Sequence, residues 1–281
     1  MECKNCGADV PKHVQRCVVC QIDVGFPNVR AATNEAEKIA LNERLENARV
    51  SVQARKCESV FNDFGRSILR SKVVIMRNIS LVLDLVSSDC AMYTAFYKQV
   101  EAGSRLPEEN KWDMIRPVVD EMLFPYYKKD ISFGALSLDN RGSAKYGNYA
   151  IVLKEELISH RATVFEENPI IFCNEKHKLI AGSSIPYGYR ALWSERDKLA
   201  MAKLHSELDS TTAAQQYPAI LLSQEKTGQE DDFIEVHIFG PIHRRTIERV
   251  IGPKPKRKED RVLFGSLKRK LEEVKAVLEI I

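Results

Sequence analysis

Short apolar runs in the second half of the chain predict β-strands. FGALSL (133–138), YAIVL (149–153) and RATVF (161–165) are separated by polar or turn-prone segments. A continuous apolar run of four to eight residues fits a strand that is buried on both faces, although such a run alone does not exclude a buried helix. AILLSQ (219–224) is predicted to be a further buried strand. The pattern therefore predicts a sheet in this half of the chain.

A fifth apolar stretch, FIEVHIFGP (233–241), alternates in a way that predicts a strand with two different faces. Its apolar face is formed by Ile234, Val236 and Ile238. Glu235 and His237 share the opposite face with two phenylalanines, because side chains alternate with period two along a strand. This face is either half exposed with solvated polar side chains, or it places a carboxylate beside an imidazole in a site.

Helical spacing dominates the segment that precedes these strands. Asn34 followed by Glu37 is typical of a capping box, and apolar residues then recur at the intervals of an amphipathic helix. The predicted helices cover residues 34–63, 68–86, 90–101, 112–124, 193–208 and 262–281. Polar segments at 104–111 and 225–232 are predicted to be a loop and a turn.

Four cysteines form the most specific motif. Cys3, Cys6, Cys17 and Cys20 make two CxxC pairs separated by ten residues. Each pair can present two thiolates from one tight turn, and two facing turns give the tetrahedral set that Zn²⁺ prefers. Two disulfides or redox-active CxxC pairs are the alternatives. Since a four-thiolate site is closed, we expect a structural zinc ion and not a catalytic one.

These patterns divide the chain into three parts. Residues 1–24 are predicted to be a zinc ribbon, which is too small to build a core and depends on its metal for folding free energy. Residues 25–105 form a helical region with an expected scaffold role, since apolar stripes at helical spacing are usually core. Residues 106–281 form a domain that contains the sheet and flanking helices. The predicted fold class is α+β.

Composition sets outer limits only. With 281 residues, of which 44% are hydrophobic and 29% charged, the chain is typical of a globular protein, and its net charge of +3 is too small to indicate a nucleic-acid partner. No run of about 18 apolar residues occurs, so no membrane span is expected. The N-terminus lacks the basic start and apolar core of a secretory signal. We therefore expect a cytoplasmic protein.

Two basic clusters lie near the C-terminus, KPKRK (254–258) and LKRK (267–270). Such a cluster is a nucleic-acid contact, a localisation signal or simply a solvated loop. Gly-rich phosphate-binding loops are absent from the sequence, which argues against Rossmann and P-loop enzymes, and GxSxG and HExxH are also absent.

The order of four motifs resembles that of bacterial ADP-ribosyltransferase-like families. Those families show a "YGAL-L" segment, an "FG…L" strand, an "R-T-F" strand and a terminal "EAQ-HG" strand, and the corresponding residues here are 133–138, 146–153, 161–165 and 234–240. The match covers roughly the last 150 residues without a long identical block. Val236 and His237 replace the small-plus-Gln pair after the Glu, and Phe239 stands where His is common. The family's first-strand Arg or His has no assigned counterpart.

The resemblance implies that residues 106–281 form a mixed or antiparallel ADP-ribosyltransferase-like sheet with flanking helices. It implies a toxin- or effector-like enzyme that transfers ADP-ribose from NAD to a macromolecular acceptor. Glu235 would be the catalytic carboxylate, because a negative charge near the ribose stabilises an oxocarbenium-like transition state. The residues that would bind NAD are Tyr146, Gly147, Arg161, Thr163 and His237.

Each of these residues has an implied role. Arg161 would hold a pyrophosphate oxygen or the ribose, with a strand-edge salt bridge as the alternative, and Thr163 would brace the site from the same face. Tyr146 and Gly147 would let the chain approach the nicotinamide ribose closely, and His237 would contact NAD or the acceptor. We expect Glu235 to face a pocket that it shares with Arg161 and Thr163.

Other functions stay open. The acceptor is a protein, RNA or DNA, and the zinc ribbon and the KPKRK cluster favour nucleic acid slightly. The same features are compatible with a non-enzymatic zinc-ribbon adaptor that binds nucleic acid or a protein partner, such as an inhibitor. A nuclease is disfavoured because no clustered set of Asp and Glu for two metal ions is visible.

Overall fold

A computed structural model of the chain describes residues 1–93, 95–101, 103, 111–224 and 231–281. The helices are α1 Pro27–Ala32, α2 Glu35–Ala54, α3 Glu58–Ile68, α4 Ile79–Val86, α5 Phe96–Glu101, α6 Lys111–Leu123, α7 Arg196–Leu204, α8 Tyr217–Leu221 and α9 Lys258–Glu273. The strands are β1 Lys72–Arg77, β2 Ile131–Ser137, β3 Tyr149–Leu153, β4 Ala162–Phe165, β5 Arg190–Leu192, β6 Leu222–Ser223, β7 Asp232–Phe233, β8 Glu235–Phe239, β9 Ile247–Gly252 and β10 Val277–Ile280.

Two of the predicted polar segments lie largely outside the described residues. The loop at 104–111 does so except for Lys111, which begins α6, and the turn at 225–232 does so except for Asp231 and Asp232. The boundary predicted at residue 105 also lies there.

Eight strands form one mixed sheet in the order β10-β9-β3-β1-β2-β8-β4-β5. All neighbours are antiparallel except β10 and β9, which run parallel. A separate pair, β6 and β7, is also antiparallel. The α+β class is therefore confirmed, and the strands predicted at 133–138, 149–153, 161–165 and 233–241 are present as β2, β3, β4 and β8.

The helix predicted at 68–86 is wrong over the six residues of β1. Lys72–Arg77 is a strand in the middle of the sheet, paired with β2 on one side and β3 on the other. Val73, Val74 and Ile75 are fully buried, and β-branched side chains of this kind favour strands. A segment that is apolar all round fits a buried helix and a central strand equally well, so periodicity did not separate them.

Three further predictions are wrong in part, for local reasons. The strand predicted at 219–224 is present only at Leu222–Ser223, as β6, because its first three residues belong to α8, which has Pro218 in its first turn, where proline is compatible with a helix. The helix predicted at 262–281 ends at Glu273, and Lys275 then takes the left-handed φ of 58° that lets the chain turn into β10. The helix predicted at 34–63 is interrupted at Lys56, which also has a left-handed φ.

The two faces of the sheet are covered differently. One face lies under α2, α3, α4, α7 and α9 and forms the main hydrophobic core. The other face packs against α6, where Val119 and Leu123 contact a smaller cluster that includes Phe165. Glu235 and His237 lie on this second face. Their strand partners on β2 are Ala135 and Phe133, whose side chains project on the same side.

In the part of the chain that the structure describes, no helix is both long enough and apolar enough to cross a membrane.

Candidate functional site

The four N-terminal cysteines lie close enough together to hold a metal ion. Their ligand atoms are all within 4.8 Å of one another, and the Sγ atoms of Cys3 and Cys20, and of Cys6 and Cys17, are each 3.6 Å apart. A tetrahedral ion with metal–sulfur bonds of about 2.3 Å requires sulfur–sulfur distances of roughly 3.8 Å. The donor set therefore fits a four-thiolate centre.

The two cysteine turns are built alike. The N–H of Gly7 donates to the carbonyl of Cys3 at 2.9 Å, and the N–H of Gln21 donates to the carbonyl of Cys17 at 3.0 Å. Gly7 and Gln21 both have a left-handed φ, 72° and 59°. Each residue ends its turn directly after the second cysteine of the pair, so the chain itself brings each pair of thiols together.

Arg30 on α1 attaches this ribbon to the rest of the protein. Its guanidinium donates hydrogen bonds to the backbone carbonyls of Pro11, Lys12, Val14, Val24 and Gly25, at 2.6 to 3.4 Å. Phe26, the residue before α1, contacts Phe239 with ring centroids 5.7 Å apart. The ribbon therefore docks near the last residue of β8.

A cavity of about 400 Å³ lies at the opposite end of β8, on the second face of the sheet. Its volume is in the range of small-molecule sites, roughly 300–1,000 Å³. The lining combines aromatic and charged side chains, among them Arg77, Arg116, Lys145, Tyr146, Phe233 and Glu235. Three cations and two carboxylates line the cavity in the described part of the chain, since Asp113 is the other acid. This composition suits an anionic ligand with a planar group.

Glu235 is the first residue of β8 and is only 6% exposed. Its Oε2 lies 3.1 Å from Nε2 of His237, two residues further along the same strand face. His237 is fully buried, and its ring packs edge-on against Phe124 at 4.8 Å. Burial lowers the pKa of His237, although Glu235 acts in the other direction. A neutral imidazole therefore lies behind a carboxylate at the cavity wall.

A second charged side chain at the cavity, Arg116, belongs to α6. Arg116 lies over the ring of Phe133 at 5.2 Å, and its Nη1 is 3.8 Å from a carboxylate oxygen of Asp120, one helical turn on. The hydroxyl of Tyr97 on α5 donates to the same Asp120 oxygen at 2.9 Å. Burial raises the pKa of Asp120 to about 6, against the opposite effects of Arg116 and Tyr97. Asp120 thus holds Arg116 in place beside the cavity.

The structure distributes the sequence-predicted NAD residues over several places. Tyr146 lines the cavity together with Glu235, with its ring edge-on to Phe233 at 6.5 Å. Gly147 follows it with φ of 140°, and a Cβ there would lie 2.3 Å from the carbonyl carbon of Arg77. Gly147 therefore allows two backbone segments beside the cavity to touch.

Arg161 and Thr163 are not brought to the cavity. Thr163 pairs with His237 across β4 and β8, is buried, and lies 3.4 Å from Nδ2 of Asn28. Arg161 lies further along, where its guanidinium donates to the carbonyl of Phe239. The cavity that Glu235 lines is therefore not shared with Arg161 or Thr163: Thr163 lies on the same face of the sheet as Glu235, and Arg161 ends the 3-10 turn that precedes β4.

Sequence reasoning missed the three cations of the cavity. Arg77 ends β1, Arg116 is on α6, and Lys145 belongs to the short 3-10 turn Ala144–Tyr146. Arg77 lay in a segment predicted to be helical, so its place at a strand end was not visible. Arg116 and Lys145 reach the cavity only through the tertiary packing, for which a single sequence carries no local signal.

Comparisons with models of known protein families and with curated proteins return no match, so the family resemblance of this chain rests on the four motifs of residues 133–241.

Proposed function

We propose that the chain is an NAD-dependent ADP-ribosyltransferase whose active site is the cavity around Glu235. The observation that carries the proposal is the placement of Glu235, a nearly buried carboxylate at the wall of a cavity that also contains Arg77, Arg116 and Lys145. The cations supply partners for the two phosphates of a dinucleotide. Tyr146 and Phe233 supply flat surfaces for its aromatic bases.

The reaction follows from this arrangement. The bond between ribose C1′ and the nicotinamide nitrogen breaks, and its electron pair leaves with nicotinamide, which becomes neutral. Positive charge then develops on the ribose, and the Glu235 carboxylate stabilises it electrostatically. Because water is largely excluded around Glu235, this interaction is stronger than it would be in bulk solvent. A nucleophilic group of the acceptor bonds to C1′ and releases its proton to water.

We also propose that the ion held by the four cysteines is zinc, with a structural role. Four thiolates leave no open coordination position for a substrate. The ribbon docks at the end of β8 remote from Glu235, and none of its residues lines the cavity described above. Its contribution to function is therefore the folding of residues 1–24 and the presentation of their surface.

The test is the release of nicotinamide from labelled NAD by the purified chain, with and without cell extract as a source of acceptor. Glu235→Gln keeps the size of the side chain and an oxygen that accepts from His237, but removes the charge. We expect this variant to lose at least about 100-fold in rate while its thermal unfolding stays close to that of the parent. Glu272→Gln, an exposed acid on α9, is the matched control.

Two results would contradict the proposal. One is the absence of NAD consumption by the parent protein with every acceptor extract tried. The other is an equal rate for Glu235→Gln and the control.

A zinc-ribbon adaptor is the second candidate, because one observation favours it. Val18 and Val19, which lie between Cys17 and Cys20, are 55% and 66% exposed. Apolar side chains at the tip of a rigid turn are suited to contact with another macromolecule. An adaptor predicts no NAD binding to the chain, together with a partner that is lost from the Val18→Ser, Val19→Ser double variant while the metal is retained.

A further inference from the structure

The carboxylate of Glu235 has a buried partner whose chemistry the proposed reaction does not use directly. His237 is on the same face of β8, has no exposed surface, and places Nε2 3.1 Å from Oε2 of Glu235. Three phenylalanines enclose the imidazole: Phe124, Phe133 and Phe165, with ring centroids 4.8, 5.5 and 5.8 Å from it. This cage fixes the plane of the ring, and therefore the direction in which Nε2 points.

The proton of the neutral ring must lie on Nε2. A carboxylate only accepts hydrogen bonds, so the imidazole is the donor. The other ring nitrogen, Nδ1, is buried and has no partner in the described part of the chain. Leaving a bare lone pair there costs less than burying an N–H group without an acceptor. The arrangement with the proton on Nδ1 is therefore disfavoured.

The charged groups near the ring explain why it stays neutral. Burial lowers the pKa of His237, and Arg190 on β5 and Arg116 on α6 lower it further. Glu235 is the group that acts in the opposite direction. A neutral donor holds the carboxylate in one orientation without forming an ion pair with it, so the negative charge stays available to a ligand.

We infer that His237 is a positioning residue for Glu235, which fixes the carboxylate through Oε2 and leaves Oε1 for the developing positive charge of the ribose. The expected effect on nicotinamide release rests on the proposed function. The hydrogen bond from His237 to Glu235 and the position of the ring proton do not. This positioning role replaces direct contact with NAD or the acceptor, the role implied for His237 by the family resemblance, with an action through Glu235.

Two amide substitutions of His237 distinguish a role in positioning Glu235 from a role in packing alone. In His237→Gln the amide nitrogen reaches the place of Nε2, and the hydrogen bond can be kept. In His237→Asn the shorter amide corresponds to Nδ1, so its nitrogen does not reach Glu235. Both variants bury one amide, and we expect similar losses of thermal stability. The rate of nicotinamide release should stay within about threefold of the parent in His237→Gln and fall about 100-fold in His237→Asn, mainly in kcat.

A measurement without turnover tests the same inference. In ¹⁵N NMR spectra of the parent chain, the imidazole signals that disappear in His237→Gln should show a protonated Nε2 and a bare Nδ1. They should remain those of a neutral ring well below pH 6.5, about the ordinary pKa of histidine. A protonated Nδ1, an imidazolium at neutral pH, or equal kcat values for the Gln and Asn variants would overturn the inference. If the parent consumes no NAD, the proposed function fails, and the NMR result still decides the state of His237.

Discussion

Gly147→Ala is expected to be one of the most damaging single-methyl additions near the cavity. The glycine has φ of 140°, a conformation that L side chains rarely adopt, and its missing Cβ would lie 2.3 Å from the carbonyl carbon of Arg77 and 2.6 Å from its Cα. These are backbone atoms of the central strand β1, which cannot rotate away as the end of a side chain could.

The expected cost has two parts. The backbone conformation contributes about 1–3 kcal/mol for a residue other than glycine, and displacement of the packed strand contributes about 1–3 kcal/mol more. The variant should therefore lose about 4 kcal/mol of its free energy of unfolding. Gly182→Ala is the matched control, because Gly182 has φ of 83° but no atom within 4 Å of its Cβ position. We expect it to lose only about 1–2 kcal/mol.

The assay is urea unfolding followed by circular dichroism, with linear extrapolation to water. The displacement should also move Arg77 relative to Tyr146, both of which line the cavity. Binding of ADP-ribose should therefore weaken in Gly147→Ala and stay unchanged in Gly182→Ala. Equal stability losses in the two variants would refute the reasoning, because the contact with the Arg77 backbone would then add nothing to the cost of the substitution.

Three further predictions concern the metal, the buried acid and the ribbon. Purified protein should contain one zinc ion per chain by mass spectrometry, and Cys17→Ser should lose it. If the protein, analysed without a reducing agent, instead contains two disulfides among these cysteines, the metal site is contradicted. The pKa of Asp120 is raised from 3.8 to about 6, so the folded state binds its proton more tightly than the unfolded state. This stabilisation is present below about pH 4 and lost as the pH rises through about 6. The stability of the parent relative to Asp120→Asn should therefore fall by about 2 kcal/mol between pH 4 and 7 in urea unfolding, and a constant difference would contradict the assignment. Arg30→Gln should weaken ribbon docking by at least about 2 kcal/mol, seen as faster proteolysis near residue 25 with the metal retained, and unchanged cleavage would show that Arg30 does not attach the ribbon.

The sequence predicted the cysteine cluster and the shared face of Glu235 and His237, because each of these patterns is compatible with only one local geometry. The CxxC spacing brings four thiols together because each tight turn fixes two of them. The alternation in residues 233–241 placed Glu235 and His237 on one face because side chains of a strand alternate with period two.

The rest required the tertiary structure. Whether the face of Glu235 is solvated or buried depends on α6, whose register against the sheet no local pattern encodes. Arg116 joins the site through that packing, and Arg77 joins it because β1 is a strand. Arg161 precedes β4, whose other end, at Phe165, is the one that pairs with Glu235, and no local pattern in the sequence shows which end of the strand lies beside the cavity.

The position of β1 between β2 and β3 has a consequence for how the chain acquires its structure. Its two neighbours begin at Ile131 and Tyr149, more than fifty residues after it ends. During synthesis, this central strand, with the apolar run VVIM (73–76), therefore leaves the ribosome with both edges unpaired, a state that favours aggregation. Nascent chains that stop before residue 131 should need a chaperone, while chains that extend beyond 153 should bury this strand on their own.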